Sequence, residues 1–204
     1  MTTPISLVLF DMDDVLCHYD RSARVRHLAA LSSRTFDEVR HAIWDSGLEA
    51  QADAGLLDDA EYLNETECLL NCPISKYDWL LARRAAMTPN LAVLALATAV
   101  AERYRVAVLT NNPRMVADNI GYLCPAVANV FRANVFASAS FKAAKPAAET
   151  YHRCLDALDV SAAEVLFVDD LEINVAGARE AGLHGHLFTG HEALSSELRC
   201  HNLL

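Results

Sequence analysis

Three short apolar runs, each ending abruptly in polar side chains, constrain the fold of this 204-residue chain more than any other feature. The runs occupy residues 5–10, 105–109 and 164–168, and the residues that follow them are Asp11, Thr110 and Asp169. Continuous aliphatic and β-branched runs of this length are typical of strands buried on both faces. Two weaker runs, at 134–137 and 184–188, indicate two further strands.

Helical patterns lie between these runs. Residues 90–104, 146–158 and 173–181 have helical periodicity, and Gly182 follows the last of them. Pro146 suits the first turn of a helix, and Gly182 suits its C-terminal cap. Alternation of strand and helix predicts an α/β protein with a parallel sheet covered on both faces.

The segment from about residue 21 to 86 departs from this alternation. It contains helical periodicity at 38–46 and 60–70, with Gly47 and Gly55 at the joints. Sixty-odd residues are too many for a loop in a compact domain. We therefore expect a small helical cap inserted after the first strand, residues 19–87, and an α/β core formed by residues 1–18 and 88–204.

The composition excludes several classes of protein. The chain is 53% hydrophobic and carries 17 basic against 27 acidic residues, a net charge of −10 that disfavours binding to nucleic acid. The longest apolar run, 91–100, covers half of the ~20 residues needed to span a bilayer, so we expect no membrane partner. The N-terminus lacks the basic start of a secretory signal, and six dispersed cysteines suit reduced thiols, so we expect a cytoplasmic protein. The oligomeric state stays open.

Carboxylates collect where two of the predicted strands end. Asp11 and Asp13 are two residues apart, so their side chains point the same way, and Asp169 and Asp170 end another strand at the same edge. Two unit charges ~4 Å apart repel by roughly 4 kcal/mol at an effective dielectric of ~20. A hard cation such as Mg²⁺ would offset this repulsion, because it prefers oxygen ligands.

Phosphoryl transfer suits a magnesium site with these neighbours. Lys145 and the metal would neutralise phosphoryl oxygens, and the Thr110 hydroxyl and the backbone around Asn111 could donate hydrogen bonds. A carboxylate could then attack phosphorus and divide one difficult displacement into two easier ones. Each of these motifs is common alone, and the combination in this order carries the prediction.

The four motifs resemble those of the haloacid dehalogenase-like (HAD) superfamily over nearly the whole chain. They are the Asp-x-Asp motif of residues 10–16, the Thr-Asn motif of 108–112, the Lys-Pro motif of 145–151 and the acidic pair of 167–170. The resemblance implies a three-layer, Rossmann-like parallel sheet with a helical cap after the first strand.

The resemblance also implies the catalytic and metal-binding roles. Asp11 would be the nucleophile that forms an aspartyl-phosphate, and Asp13 would protonate the leaving alcohol and then activate water. Mg²⁺ would bind the carboxylates of Asp11 and Asp170 and the backbone carbonyl of Asp13. Asp169 and Asn174 would contact the ligands of the metal or reach the metal through water.

The phosphoryl group has its own implied partners. Thr110 and Asn111 would grip it, and Lys145 would tie it to the nucleophile. Two positions depart from the family pattern. Asp14 stands where Gly is common, and Asn174 stands where many members have a carboxylate.

Residues 43–47 and 53–57 of the cap, together with residues 110–112 and 168–170, are most similar to the branch with bacterial glucose-1-phosphate phosphatases and the N-terminal phosphatase domain of soluble epoxide hydrolases. This similarity implies a small phosphorylated metabolite as substrate, with a sugar phosphate as one candidate. Within the cap, Arg83 and Arg84 are interpreted as a solvated helix face and Trp44 as packing. His18 and Tyr19 lie close enough along the chain to reach the site.

Three alternatives stay open. A 2-haloacid dehalogenase uses the same nucleophile but needs neither metal nor Asp13, and it would release chloride from 2-chloropropionate. A sugar phosphomutase shares all four motifs and would convert glucose 1-phosphate into glucose 6-phosphate. A non-enzymatic phospho-aspartate signalling module has similar residues in another order, and it would keep its phosphate for long periods.

Overall fold

The computed structural model describes residues 4–204, so the first three residues of the expected core lie outside it. It contains a parallel sheet of five strands in the order β5-β4-β1-β6-β7 and a separate antiparallel pair, β2 and β3. The strands are β1 Leu7–Phe10, β2 Cys17–Tyr19, β3 Met87–Pro89, β4 Arg105–Thr110, β5 Val135–Ala137, β6 Val165–Asp169 and β7 His184–Leu187. All five strands expected from the apolar runs are confirmed.

The helices fill the intervals between strands. Before β3 lie α1 Arg21–Ser32, α2 Phe36–Arg40, α3 Leu48–Asp53, α4 Asp59–Leu70 and α5 Lys76–Ala85. After β3 lie α6 Leu91–Ala101, α7 Arg114–Asp118, α8 Ile120–Leu123, α9 Pro125–Phe131, α10 Ala148–Leu158, α11 Glu172–Glu180 and α12 His191–Cys200. No helix within residues 4–204 is long and apolar enough to cross a membrane.

The central strand explains the three layers. Its side chains alternate between the faces of the sheet, so Val8 and Phe10 enter one hydrophobic cluster and Leu7 and Leu9 enter another. Helices α6, α9 and α12 contribute to the first cluster, and α10 and α11 contribute to the second. Burial on both faces accounts for the uninterrupted apolar sequence of this strand. The expected α/β sandwich is confirmed.

Two expectations about helix ends have different outcomes. Gly182 follows α11 in the left-handed region, with φ of 91°, and terminates this helix as expected. The placement of Pro146 in the first turn of a helix is wrong, because α10 begins at Ala148 after the cap residue Ala147. The N–H of Ala147 bonds to the carbonyl of Ala144, so Pro146 belongs to a turn that precedes the helix.

The cap is built from helices α1 to α5. Three of them start at capping boxes, in which Thr35, Asp58 and Ser75 accept from the backbone three residues on. The expected helix at 38–46 is α2 continued by a π-helical stretch, His41–Asp45.

The two-stranded pair at the base of the cap was not expected from the sequence. Tyr19 pairs with Met87, and His18 pairs with Thr88. The expected cap begins at Tyr19 and ends at Met87. Its boundaries therefore fall within β2, between His18 and Tyr19, and within β3, between Met87 and Thr88. We retain residues 19–87 as the proposed cap.

The cap packs closely against the core at one loop. Gly55 has φ of +66°, and a β-carbon there would lie 2.4 Å from the carbonyl oxygen of Ala139. Two polar contacts lie beside this approach. Ser138 Oγ donates to the backbone carbonyl of Asp53, and the N–H of Met115 donates to a carboxylate oxygen of Asp59 at 3.1 Å.

We expect Gly55→Ala to reduce the free energy of unfolding by about 2–4 kcal/mol, from left-handed strain and the clash together. Gly47→Ala is the matched control, because Gly47 has φ of +78° but a β-carbon added there would meet nothing within 4 Å. This control should lose only about 1–2 kcal/mol. Chemical denaturation of both variants measures the difference. Equal losses would contradict the close contact between cap and core.

Candidate active site

The strand ends meet at one edge of the sheet. Phe10 of β1 is in register with Val108 of β4 and Val168 of β6, so the residues that follow lie side by side. The N–H of Asp11 donates to the carbonyl of Val168 at 2.8 Å, which extends the pairing by one residue. A cavity of about 590 Å³ opens at this edge, a size that suits a small-molecule ligand.

Three carboxylates converge beneath the cavity. Asp11, Asp169 and Asp170 each place a carboxylate oxygen within 4.8 Å of the others. Lys145 lies among them, with Nζ 2.8 Å from Oδ1 of Asp11 and 2.6 Å from Oδ2 of Asp169. The side chains of Lys145 and Asp169 are 1% and 0% exposed, so water screens this group little.

The two members of the acidic pair have different surroundings. Asp169 accepts hydrogen bonds from Lys145, from the Asn174 amide at 3.1 Å to each carboxylate oxygen, and from the N–H of Leu171 at 2.9 Å. Asp170 is half-buried and lines the cavity. Asp170 therefore has more capacity to bind an added cation than Asp169 has.

The donor set fits Mg²⁺. Oδ1 of Asp11 is buried and close to Lys145, yet within residues 4–204 it has no partner in hydrogen-bond geometry. Asp11 and Asp170 supply hard carboxylate oxygens, which Mg²⁺ prefers. In the described part of the chain, the cluster formed by Asp11, Asp169 and Asp170 contains no His or Cys that would favour zinc.

Burial and crowding shift the pKa values of these groups. Burial raises the pKa of Asp11 to about 8, opposed by Lys145 and reinforced by Asp169. Burial and the neighbouring Asp169 raise the pKa of Asp170. Burial lowers the pKa of Lys145, but the carboxylates of Asp11 and Asp169 outweigh it, so the net shift is upward. A divalent cation would favour the ionised carboxylates.

The Thr-Asn motif lies at the end of β4. Asn111 uses its side chain to orient the loop of Lys145, donating to its carbonyl and accepting from its N–H, both at 2.9 Å. That side chain is therefore engaged, and its backbone is the part that suits a phosphoryl oxygen. Thr110 is 1% exposed but lines the cavity, and its Oγ1 accepts from Asn112 at 2.7 Å.

Asn112 is a site residue that has no assigned role in the sequence-based prediction. Its buried amide donates to Oγ1 of Thr110 and, at 3.2 Å, to Oδ2 of Asp13. Its position directly after Thr110 and Asn111 is the sequence feature from which a role in the site could have been predicted. The amide links the ends of β1 and β4.

Arg83 also contacts Asp13, and here the sequence interpretation is wrong. The sequence predicts a solvated helix face for Arg83, but this residue is 1% exposed and its Nη2 bonds to Oδ2 of Asp13. Its guanidinium carbon lies 3.8 Å from the centre of the Tyr19 ring. Arg84, the next residue, is exposed as expected and lies over the Tyr122 ring.

Asp14 takes the backbone conformation that suits the glycine common at this position in the family. Its φ is 61°, in the left-handed region that Asp tolerates better than most residues. One carboxylate oxygen of Asp14 accepts from the N–H of Tyr19 at 3.1 Å. This bond supports the loop, and the Tyr19 side chain borders the cavity as the sequence suggested.

Comparison with known proteins identifies the family. The family model of the haloacid dehalogenase-like hydrolases matches residues 5–182. Phosphatase MT3486 of Mycobacterium tuberculosis is 30% identical over 203 residues, covering 90% of this chain and 87% of that protein. The chain therefore belongs to the haloacid dehalogenase-like hydrolases.

Solved structures show the same fold. An HAD-like family hydrolase from Porphyromonas gingivalis has a TM-score of 0.80 at 20% identity, covering 97% of this chain and 99% of that one. An HAD family enzyme from Bacteroides thetaiotaomicron, solved with magnesium and inorganic phosphate, has a TM-score of 0.74 at 22% identity. That match covers 90% of this chain and 93% of the other.

Proposed function

We propose that this chain is a Mg²⁺-dependent phosphomonoester hydrolase that acts through an aspartyl-phosphate on Asp11. The observation that carries the proposal is the convergence of Asp11, Asp170, Lys145 and Thr110, from four separated segments, around one cavity. The phosphatase relative from M. tuberculosis and the magnesium-phosphate complex of the B. thetaiotaomicron enzyme support the same chemistry.

The reaction divides into two displacements. An oxygen of Asp11 attacks phosphorus while Asp13 gives a proton to the departing alcohol oxygen, which keeps the electron pair of the broken P–O bond. Water then attacks phosphorus, Asp13 takes its proton, and the Asp11 carboxylate is released. Mg²⁺ held by Asp11, Asp170 and the carbonyl of Asp13 would supply positive charge to the phosphoryl oxygens.

The other residues hold this arrangement in place. Lys145 neutralises Asp11 and the arriving phosphoryl group, and the Thr110 hydroxyl donates a hydrogen bond to a phosphoryl oxygen. Asp169 and Asn174 keep Lys145 in position by the hydrogen bonds described above.

The cavity wall contributed by the cap favours a small hydroxyl-bearing leaving group. Tyr19, Asp20, Arg21 and Asp53 line this wall. Burial and nearby Glu49 raise the pKa of Asp53 well above its usual value, and Oδ1 of Asp53 has no hydrogen-bond partner within residues 4–204. The polar side chains of this wall suit the hydroxyl groups of a small phosphorylated metabolite, and we propose sugar phosphates as the first candidates.

A screen of phosphorylated sugars, nucleotides and small acids with Mg²⁺ tests the proposed activity and substrate class together. Hydrolysis of sugar phosphates above the other classes would support both.

We further propose a cytoplasmic location, because all six cysteines are free thiols, which is typical of reducing compartments.

We expect Asp170→Asn to reduce activity and to remove most of the stabilisation by Mg²⁺. For the wild type, Mg²⁺ at one hundred times its Kd should add about 2.7 kcal/mol to the free energy of unfolding. In excess EDTA the variant should be more stable than the wild type, because one of three crowded carboxylates is gone. Thermal melts with EDTA and with Mg²⁺ measure both effects.

Asp118→Asn is the control for this comparison, because Asp118 is exposed and lies on α7. It should keep the full Mg²⁺ response. Equal responses of Asp170→Asn and the wild type would remove Asp170 from the metal site.

A further inference from the structure

Arg83 is a cap residue that reaches the machinery of the core. It lies on α5, near the end of the cap, and its Nη2 bonds to Oδ2 of Asp13, seventy positions earlier in the chain. Its guanidinium stacks on Tyr19, which follows the Asp-x-Asp loop. The contact therefore connects the position of the cap directly to the carboxylate proposed as general acid.

The two oxygens of Asp13 have unequal partners. Oδ2 accepts from Arg83 and from the amide of Asn112 at 3.2 Å. Oδ1 accepts from the thiol of Cys17 at 3.7 Å, and a thiol is a weak donor. Two N–H donors, one of them charged, stabilise negative charge on Oδ2. Oδ1 is therefore the oxygen that can carry a transferable proton.

We propose that Arg83 is a positioning residue that fixes Asp13 so that Oδ1 delivers its proton to the leaving oxygen of the substrate. This inference rests on the proposed function. As the P–O bond breaks, its electron pair goes to the leaving oxygen, which takes the proton from Oδ1, and Asp13 is left as a carboxylate between Arg83 and Asn112.

A structural role alone explains the Arg83 contact poorly. Its guanidinium is buried, and Nε has no hydrogen-bond partner in the described residues. A buried cation with an unsatisfied N–H contributes less to stability than a well-packed apolar side chain of similar size. Among the described residues, Asp13 is the hydrogen-bond partner of the Arg83 guanidinium.

The test compares leaving groups in Arg83→Met. We would measure kcat/KM for a series of substituted phenyl phosphates. At one end is p-nitrophenyl phosphate, whose leaving group departs without a proton. At the other is phenyl phosphate, whose leaving group depends more strongly on receiving a proton. General acid catalysis contributes about 10²–10⁴-fold. The variant should lose roughly tenfold or less with p-nitrophenyl phosphate and at least about 10²-fold with phenyl phosphate.

Arg84→Met is the matched control, because Arg84 is the adjacent arginine, is exposed and contacts Tyr122 instead of Asp13. Its losses should be small and independent of the leaving group. An equal loss across the series in Arg83→Met would overturn the proposal, because a general structural defect does not depend on leaving-group acidity.

A double-mutant cycle keeps the proposal testable if Arg83→Met does not fold. In the wild-type background, Arg83→Lys should make kcat/KM depend more steeply on the leaving group. In the Asp13→Asn background it should not, because no proton donor remains to be positioned. Steepening in both backgrounds would overturn the proposal. Failure of the proposed function is a separate result, namely a wild type with no Mg²⁺-dependent phosphatase activity or a fully active Asp11→Asn variant.

Discussion

Asp11→Asn should reduce the turnover of p-nitrophenyl phosphate by at least about 10³-fold, the scale of loss when a catalytic nucleophile is removed. The amide has nearly the shape of the carboxylate but cannot attack phosphorus. Burial raises the pKa of Asp11 to about 8, so replacing it with a neutral group should not lower stability in the absence of metal. The loss should therefore be one of kcat in a folded protein.

Steady-state kinetics with Mg²⁺, together with a thermal melt of the same preparation, measure this effect. Asp156→Asn is the control, because it makes the same substitution at an exposed position of α10. It should keep wild-type turnover. Full activity of Asp11→Asn would show that another group is the nucleophile.

Lys145→Met should destabilise the protein by about 3–5 kcal/mol in EDTA and reduce activity to near the background rate. The ammonium lies within 2.8 Å of Asp11 and 2.6 Å of Asp169, and its removal leaves two buried carboxylates without their cation. Burial already raises the pKa of Asp11, and Lys145 opposes this rise, so without Lys145 the ionisation of Asp11 costs still more in the fold than in the unfolded chain. The loss of stability should therefore grow as pH rises and Asp11 ionises.

Chemical denaturation in EDTA at several pH values measures this loss. Lys142→Met is the control, because Lys142 is exposed and lies three residues away. It should change the free energy of unfolding by no more than about 0.5 kcal/mol. A similarly small effect of Lys145→Met would contradict the view that Lys145 neutralises the buried carboxylates.

The sheet could be predicted from the sequence because each of its strands has a local signal. Residues 7–10 are buried on both faces, so every side chain is apolar, and the polar residue that follows marks the strand end. The pair β2 and β3 has no such signal. Each strand is three residues long, and their partners lie about seventy positions apart, so pairing depends on the placement of the cap.

The convergence of Asp11 and Asp170 at one edge of the sheet could be predicted, because these motif residues directly follow strands or end them. The partners of these residues could not be predicted, because they depend on contacts between distant segments. Arg83 has the local sequence of an exposed helix residue, and only the position of Asp13 explains its burial. Asn111 has a polar side chain that suits either a phosphoryl group or a loop, and the loop of Lys145 occupies it.

Covalent transfer of the phosphoryl group to Asp11 is the step on which the other proposed roles depend. Asp13→Asn should slow hydrolysis of the aspartyl-phosphate, because no base remains to activate water. We expect acid quenching of this variant after mixing with p-nitrophenyl phosphate and Mg²⁺ to leave one phosphoryl group on the tryptic peptide of residues 1–21, localised to Asp11 by fragmentation. A phosphoryl group on any other residue, or release of nitrophenol with no phosphorylated peptide, would contradict this mechanism.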